Sequence, residues 1–458
     1  MSTFTGKFFN PGDAGFDEAA VGRVFNARRP SRRPNAVLLA ETRDDIVAGV
    51  KFAKEQGWSV AVRSGGHSWA AWSVREDTLL IDLGLYQEMD FDPATGIASA
   101  TPAVKGGKVL DPYLQSVGRF FNGGHCPTVG IGGFLLQGGQ GWCARGWGWA
   151  AESVIAVDVV TADGELVRAD ATQNQDLYWA ARGAGPSFPG IVTRFYLQTL
   201  ERYKHAVESV QIYDVKHFKA IMEWMYSIHE QVSKNVEIVV VSNSAPVGPN
   251  GEIKRIIVID ALALVDTIEE GKEAVAPFQS FPHIDEAILN INGEETQLAN
   301  RREQQLIANP EGHRYFVDNI WVDGEPAEIA EKIEPLFTTI PEEKGFTIWF
   351  SMGPVRELPD MAFSLQSPGY VATYLVSDDE THDAANRAWL DSAMAGARSV
   401  TKGTYLGDSD FGNRQLKFME PENFERLSKV IADRDPNGRF VRYLAKDPQN
   451  LNNNDWQL

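Results

Sequence analysis

The amino-acid sequence predicts an α+β protein with more than one domain, and three observations lead to that prediction. The chain has 458 residues, whereas one domain usually holds roughly 100–200. Residues 1–200 alternate short strand-like and helix-like patterns. Residues 200–400 instead combine longer amphipathic helices with paired strands, which is typical of a sheet covered by helices on one face.

Residues 42–56 predict the first helix. Thr42 is a suitable N-cap, two acidic residues follow in the first turn, and the apolar residues recur at helical spacing. Residues 58–63 alternate like a strand and end at a Gly-Gly turn. Further strands are predicted over 78–83 and 97–100, followed by a hairpin over 154–161 and 165–168 with an Asp-Gly turn.

The second half of the chain carries stronger helix signals. Residues 214–232 place Phe218, Ile221, Met222, Met225 and Ile228 on one helical stripe. Two strands should pair around a turn near Asn250-Gly251, and a final helix should end before an Asp-Pro-Asn-Gly stop. The remaining predictions are strands over 236–241, 253–264, 347–350 and 370–375, and helices over 328–337, 382–395 and 422–434.

The composition excludes several classes of protein. Lys and Arg number 43 against 62 Asp and Glu, a net charge of −19, which argues against binding to nucleic acid or to anionic membranes. Two cysteines cannot form a disulfide framework or a thiolate metal cluster, and the histidines lack metal-ligand spacing, so no metal site is expected. With no visible signal peptide or apolar run of about 18 residues, the default expectation is a cytoplasmic protein.

Two glycine-rich segments are the candidates for ligand binding. The first, RSGGHS at 63–68, follows a predicted strand, and its backbone N–H groups suit a pyrophosphate. A tight turn followed by an ordinary loop histidine explains it equally well. The second, 123–141, holds eight glycines in nineteen residues, which favours backbone approach to a large flat ligand. Its GxGxxA match at 139–144 is weak, because no clear strand precedes it.

These segments together resemble flavoproteins of the vanillyl-alcohol oxidase/PCMH superfamily, and within it the berberine bridge enzyme-like branch. Residues 63–68 resemble the RxGGHS loop, and residues 124–133 resemble the GxCPTVGxGG segment. Residues 34–37, 176–193 and 423–437 agree with further family motifs in order and spacing.

The resemblance implies three parts of the chain. They are a PCMH-type FAD-binding domain over 1–200, a substrate domain with an antiparallel sheet covered by helices over 201–410, and a C-terminal berberine-bridge segment over 411–458 that returns to the FAD domain.

The resemblance also implies FAD, attached covalently through His67 to the flavin 8α-methyl and through Cys126 to flavin C6. A thiolate can add to the electron-poor ring, which explains the need for sulfur. An unmodified loop histidine and a buried free cysteine are the alternatives, and Cys143 is expected in the core. The other cofactor-binding residues implied are Arg63, Ser64, Gly65, Gly66, Ser68, Thr128, Gly130, Gly132, Gly133, Gly138, Gly139, Gly141, Gly190, Ile191 and Val192.

Three residues are candidates for the chemistry. Tyr405 and Asp408 lie in a stretch that resembles AYxNYxD, with Asp408 where many members have the second tyrosine. A carboxylate is a better base than a phenol at neutral pH, so this departure is compatible with activity. Val129 stands at the position compared with an oxygen gatekeeper, and a small side chain there resembles the oxygen-reactive members. A core tyrosine, a solvated acid and a packing valine are the structural alternatives.

The predicted function is oxidation of a small-molecule alcohol, from a carbohydrate or a natural-product intermediate, with molecular oxygen reduced to hydrogen peroxide. The alternatives are an oxidative cyclase of secondary metabolism, a dehydrogenase with a non-oxygen acceptor, and a non-catalytic flavin-binding protein. The tryptophans near the glycine-rich segments could wall this site or fill the core; they are Trp69, Trp72, Trp142, Trp147 and Trp149. The sequence does not specify the substrate or the oligomeric state.

Overall fold

The computed structural model describes residues 4–248, 250–410, 413–414 and 416–443. It confirms the predicted α+β class: helices and strands are mixed along the chain, and one large antiparallel sheet carries helices. The part of the predicted C-terminal segment beyond residue 443 lies outside the described residues.

The first 201 residues contain eleven strands and five α-helices among the described residues. The strands are β1 Lys7–Phe9, β2 Ala36–Leu39, β3 Ser59–Arg63, β4 Thr78–Asp82, β5 Met89–Asp92, β6 Ile97–Ala100, β7 Arg119–Phe120, β8 Val154–Val160, β9 Leu166–Asp170, β10 Ile191–Gln198 and β11 Leu200–Glu201. The helices are α1 Arg43–Gln56, α2 Asp111–Ser116, α3 Ile131–Leu136, α4 Ala144–Trp147 and α5 Gln175–Ala180.

These strands form a four-stranded sheet, ordered β1-β2-β4-β3, a five-stranded sheet, ordered β5-β6-β10-β8-β9, and the β7–β11 pair. In the first sheet β2, β4 and β3 are parallel, and β4 is buried along its whole length, as expected for a strand covered on both faces. Helix α1 covers this sheet. Thr42 accepts the N–H of Asp45 while Asp45 accepts the N–H of Thr42, which completes a capping box.

The following part of the chain forms one eight-stranded sheet. Its strands are β12 His205–Asp214, β13 Val236–Val247, β14 Glu252–Val265, β15 Leu289–Thr296, β16 Arg314–Val322, β17 Phe346–Ser351, β18 Gly369–Ser377 and β19 Thr401–Gly403. Their order is β15-β12-β14-β13-β17-β18-β16-β19, and every pairing is antiparallel. The helices in this part are α6 Phe218–Ile228, α7 Ile268–Val275, α8 Leu298–Ala308, α9 Pro326–Thr338 and α10 Asp383–Gly396.

The two faces of this sheet have different environments. Side chains alternate between the faces of a strand. On β13, Ile238 and Val240 join the core formed with α6, α7, α9 and α10. The intervening Val239 and Val241 face a cavity. The same strands therefore build the core on one side and a binding wall on the other.

The C-terminal segment returns to the N-terminal sheets. Helix α11, Pro421–Arg434, packs on α5, and the Arg434 guanidinium binds both carboxylate oxygens of Asp176 at 2.6 Å. After the helix, Phe440 runs parallel to Val60 of β3. This return places residues 440–442 beside the cavity.

Most predicted elements are confirmed with shifts of one or two residues at their ends, although the strand predicted over 236–241 continues to Val247. The helix predicted over 214–232 is also an exception, since α6 spans only Phe218–Ile228. The Asp214 carboxylate accepts the N–H of Lys216 at 2.9 Å and starts a short 3₁₀ turn before it. Strand β16 was not predicted, because a strand buried along most of its length lacks alternation. No helix in the described parts of the chain has the length and apolar character needed to cross a bilayer.

Buried His229 predicts a pH dependence of stability. Burial lowers the pKa of the His229 imidazole to about 4, and the charge of Arg145 adds to this effect. The unfolded chain binds a proton there with a pKa near 6.5, so stability falls as pH decreases from about 6.5 towards 4. For this one group the loss between pH 7 and pH 5 is about 2 kcal/mol.

Substitution His229→Gln should reduce the pH dependence of the free energy of unfolding by that amount, while glutamine can still bond the Ser351 hydroxyl that His229 contacts at 2.8 Å. Denaturant unfolding at the two pH values measures it. The same pH dependence in variant and wild type would contradict the assignment.

Candidate functional site

A cavity of about 1080 Å³ lies between the N-terminal sheets and the face of the eight-stranded sheet opposite to α6, α7, α9 and α10, and residues of α8 also line it. It is lined by both predicted glycine-rich loops, by residues 190–192, by the C-terminal residues 440–442, and by alternate residues of the large sheet. Its volume is at the upper end of the range for cofactor and small-molecule sites, about 300–1,000 Å³. A ligand in this cavity can contact the N-terminal loops, the eight-stranded sheet and residues 440–442.

The two glycine-rich loops touch each other through their backbones. A Cβ atom on Gly65 would lie 2.5 Å from the Gly130 nitrogen, and one on Gly130 would lie 2.9 Å from the Gly65 nitrogen. Gly66 has φ +77°, and a Cβ there would lie 1.9 Å from the Arg23 carbonyl oxygen. Only glycine fits this crossing. A Cβ on Gly133 would instead meet no atom within 4 Å, so a ligand can approach the backbone there.

A buried ion pair supports the first loop from below. The Asp82 carboxylate binds the Arg63 guanidinium, with Arg63 Nε to Asp82 Oδ2 at 2.7 Å, and it also contacts Arg23. Arg63 donates in addition to the carbonyl oxygens of Ala19 and Ala20, and Arg23 donates to the Ser64 carbonyl at 2.7 Å. The Arg63 guanidinium is therefore bonded to protein groups that support the loop, and its charge is not available to a pyrophosphate.

His67 is held as a neutral imidazole. Its ring stacks on Phe25 with centroids 4.4 Å apart, and the backbone of Thr128 hydrogen-bonds to it. Burial lowers the pKa of His67 to about 4, and the charge of Lys105 contributes further. An unprotonated ring nitrogen at neutral pH is the form that can attach to a carbon electrophile such as the flavin methyl.

Cys126 lines the same cavity and is half-buried, with its Sγ 3.4 Å from the Thr128 hydroxyl oxygen. The preceding His125 binds Glu237 of β13, with Nε2 to Oε1 at 2.9 Å, and packs on Trp142. Glu237 Oε2 also accepts the backbone N–H of Cys143 at 2.8 Å. One carboxylate of the large sheet thus bonds the His125 side chain within the second glycine-rich segment and the Cys143 backbone just after it.

Cys143 is a core residue, as predicted. It is fully buried, and this burial, together with the charge of Glu237, raises the pKa of its thiol well above the usual range. Such a thiol is not reactive at neutral pH.

Asp408 is surrounded by hydrogen-bond donors. Its Oδ1 accepts the indole N–H of Trp69 at 3.0 Å, and its Oδ2 accepts the hydroxyl of Tyr370 at 2.6 Å; Tyr374 also hydrogen-bonds to it. Burial, followed by the charge of Asp408, raises the pKa of both tyrosines well above the usual range. They are therefore neutral donors, and the carboxylate is the acceptor of the group.

Tyr405 also lines the cavity, but its hydroxyl oxygen accepts the backbone N–H of Gln140 at 3.1 Å. Burial raises its pKa, so it stays protonated at neutral pH. The Asn319 side-chain amide binds the Tyr405 backbone at two points. Its oxygen accepts the Tyr405 N–H at 2.7 Å, and its nitrogen donates to the Tyr405 carbonyl at 3.0 Å. Of the two predicted base candidates, only Asp408 combines a carboxylate with an accessible cavity position.

The structure brings most of the predicted site residues to this cavity. The lining set comprises Arg63, Ser64, Gly65, Gly66, His67, Ser68, Cys126, Val129, Gly130, Gly132, Gly133, Gly190, Ile191, Val192, Tyr405 and Asp408. Trp69, Trp72 and Trp142 line it too, whereas Trp149 is buried in the core and Trp147 packs against Phe120.

Four predicted cofactor-binding residues do not line the cavity: Thr128, Gly138, Gly139 and Gly141. The three glycines allow close packing instead. A Cβ on Gly138 would lie 2.6 Å from the Phe363 ring, and one on Gly141 would lie 1.8 Å from the Asn122 carbonyl oxygen. Glycine content alone could not separate packing from ligand contact.

Tyr370, Tyr374 and Glu237 also line the cavity and were not predicted as site residues. A signal existed for the tyrosines, since two residues four apart on a predicted strand lie on the same face. Glu237 had no comparable signal, because its partners are 112 and 94 residues away.

The residues present fit FAD. The contacting loops expose backbone without side chains, Gly133 borders open space, and a neutral imidazole and a thiol both face the cavity. Residues 34–170 match the model of the FAD binding domain family.

The chain is 34% identical over 427 residues to the FAD-linked oxidoreductase janO of Penicillium janthinellum, which covers 92% of this chain and 94% of the relative. Among solved structures, 6-hydroxy-D-nicotine oxidase from Arthrobacter nicotinovorans has a TM-score of 0.81 at 20% identity and covers 97% of this chain and 98% of that one. A berberine bridge enzyme variant in complex with (S)-reticuline has a TM-score of 0.78 at 17% identity, with 96% and 95% covered.

The crossing of the two loops predicts that Gly66→Ala loses FAD. The added Cβ must displace the Arg23 backbone and move the His67 loop. Gly57→Ala is the matched control, because Gly57 has φ +71° but open space around its Cβ, so it should cost only about 1 kcal/mol of stability. Absorbance of the purified proteins gives the FAD-to-protein ratio. Equal ratios in the two variants would show that the crossing does not hold the cofactor site.

Proposed function

We infer the function from the family, since this chain belongs to the FAD-linked oxidoreductases and has a berberine bridge enzyme-like fold. We propose that it is an oxidase that converts a small-molecule alcohol, from a carbohydrate or a natural-product intermediate, to the carbonyl compound. The observation that carries the proposal is the Asp408 carboxylate, which faces the cavity opposite two loops suited to covalent FAD.

The cofactor would be held by backbone of the contacting loops, by residues 190–192 and by the C-terminal residues that border β3. His67 and Cys126 would attach it covalently from two sides. When bound, FAD would supply a two-electron acceptor for a hydride from the substrate, and molecular oxygen would be the final acceptor, giving hydrogen peroxide. The protein contributes orientation and proton transfer.

Asp408 is the proposed general base. As the carbinol C–H bond gives up its hydride, the O–H bond must give up its proton, and a carboxylate within hydrogen-bond distance can take it. Tyr370 and Tyr374 hold the carboxylate in place by donating to it, and the Trp69 indole links it to the N-terminal part of the chain. Tyr405 would border the substrate as a neutral hydroxyl. Val129, next to the Cys126 turn, leaves room for oxygen to approach.

Substitution Asp408→Asn should leave FAD bound and slow flavin reduction by about 10²–10⁴-fold, because an amide cannot accept the proton. The measurement is the anaerobic loss of flavin absorbance with alcohols, followed by a peroxide assay in air. Asp391→Asn is the control, since Asp391 is exposed and does not line the cavity.

An unchanged reduction rate in Asp408→Asn would remove Asp408 as the base. Substrate reduction of the flavin without peroxide in air would favour the dehydrogenase alternative over the oxidase.

Covalent attachment is tested by acid precipitation. Flavin should stay with the precipitated protein in the wild type and in each single variant, His67→Ala and Cys126→Ala, because one bond remains in each. It should appear in the supernatant only for the double variant. Release from the wild type would contradict covalent attachment, and release from His67→Ala alone would contradict the second bond through sulfur.

A further inference from the structure

The cavity continues beyond Asp408 along the face of the eight-stranded sheet that lies opposite to α6, α7, α9 and α10, and much of this face is aliphatic. We name its aliphatic residues the aliphatic wall; its members are Val210, Val239, Val241, Val258, Leu289, Ile291 and Ile348. They lie on β15, β12, β14, β13 and β17, which are consecutive neighbours in the sheet. Val258, Val241 and Ile348 are direct cross-strand partners and form a contiguous row, whereas Asp260 lies between Val210 and Val239.

Much of this wall is uncovered by the protein. Val239, Val241 and Val258 are only half-buried, although they lie on central strands, and Leu289 is 41% exposed. Burying apolar surface is worth about 25 cal/mol per Å², so an apolar ligand would gain affinity from this surface. Contiguous apolar surface inside a cavity marks a binding site more often than scattered surface residues do.

The charged groups on the same face are already paired with one another. Arg301 of α8 binds Glu208 at 2.5 Å and Asp260 at 2.6 and 3.0 Å. Glu237 is occupied by His125 and by the backbone N–H of Cys143. A sugar needs a partner for each of several hydroxyl groups, and an unpaired hydroxyl buried against valines costs affinity.

We propose that the substrate is an apolar alcohol, whose hydrocarbon body lies on the aliphatic wall and whose carbinol carbon lies at Asp408. This rests on the proposed alcohol oxidation at the same site. The reaction is R₂CH–OH to R₂C=O; the hydride leaves to FAD and the hydroxyl proton to Asp408. Polar side chains do border the wall, among them Asn243 of β13, whose Oδ1 is unpaired among the described residues, so the wall favours an apolar body over a carbohydrate without removing every hydrogen-bonding partner at its edge.

The test compares cyclododecanol with xylobiose on the FAD-loaded protein without oxygen. Perturbation of the flavin spectrum reports binding, and loss of flavin absorbance reports oxidation. Cyclododecanol should bind more tightly than xylobiose by at least about tenfold, and should reduce the flavin. Tighter binding of xylobiose would overturn the apolar substrate class while leaving alcohol oxidation intact. Binding of cyclododecanol without reduction would support the wall and count against alcohol oxidation.

Two variants locate the binding surface. Val241→Thr and Val258→Thr keep the side-chain shape and the strand preference but add a hydroxyl to the wall. Each should weaken cyclododecanol binding by about fivefold to tenfold, because the hydroxyl loses water on binding. Val117→Thr is the control, since Val117 is 40% exposed and lies outside the cavity, and its affinity should be unchanged. Unchanged affinity in both wall variants, with full FAD content, would overturn the proposal.

Discussion

The backbone contact between Gly65 and Gly130 is the constraint on which the candidate site depends. Two segments more than sixty residues apart cross with no room for a side chain, and this crossing brings His67 and Cys126 to one cavity. The buried Asp82, paired with Arg63 and Arg23, holds the first loop from beneath. Removing one member of a buried ion pair leaves an uncompensated charge. Loss of the Asp82 ion pair would therefore also disturb the contact between Gly65 and Gly130.

Burial shifts pKa values in opposite directions at His67 and at the tyrosines around Asp408. At His67 it lowers the pKa and leaves a neutral ring nitrogen, which is the state that covalent attachment requires. At Asp408 the carboxylate accepts hydrogen bonds from Trp69, Tyr370 and Tyr374. The tyrosines remain neutral because the same burial raises their pKa. A neutral imidazole and a hydrogen-bonded carboxylate therefore line the same cavity.

The large sheet contributes residues both to the hydrophobic core and to the cavity wall. Alternate residues of β13 belong to the core under α6 and α9 or to the aliphatic wall, so each strand serves both purposes. Glu237, on the cavity face of the same strand, bonds the side chain of His125, the residue before Cys126. Under the proposed function, a change in the wall would alter substrate binding without altering the core, provided that the shape of the side chain is kept.

The sequence by itself determined the fold class, about half of the described helices and strands, and the two glycine-rich loops of the candidate site. These features are local: Thr42 caps its own helix, and the RSGGHS loop is contiguous. Only the tertiary structure decided which glycines face the cavity and which, such as Gly138, make room for a distant ring. It also decided that Asp408 meets Trp69 and Tyr370, residues 339 and 38 positions away, because contacts between sheets depend on how strands stack and not on their order in the chain.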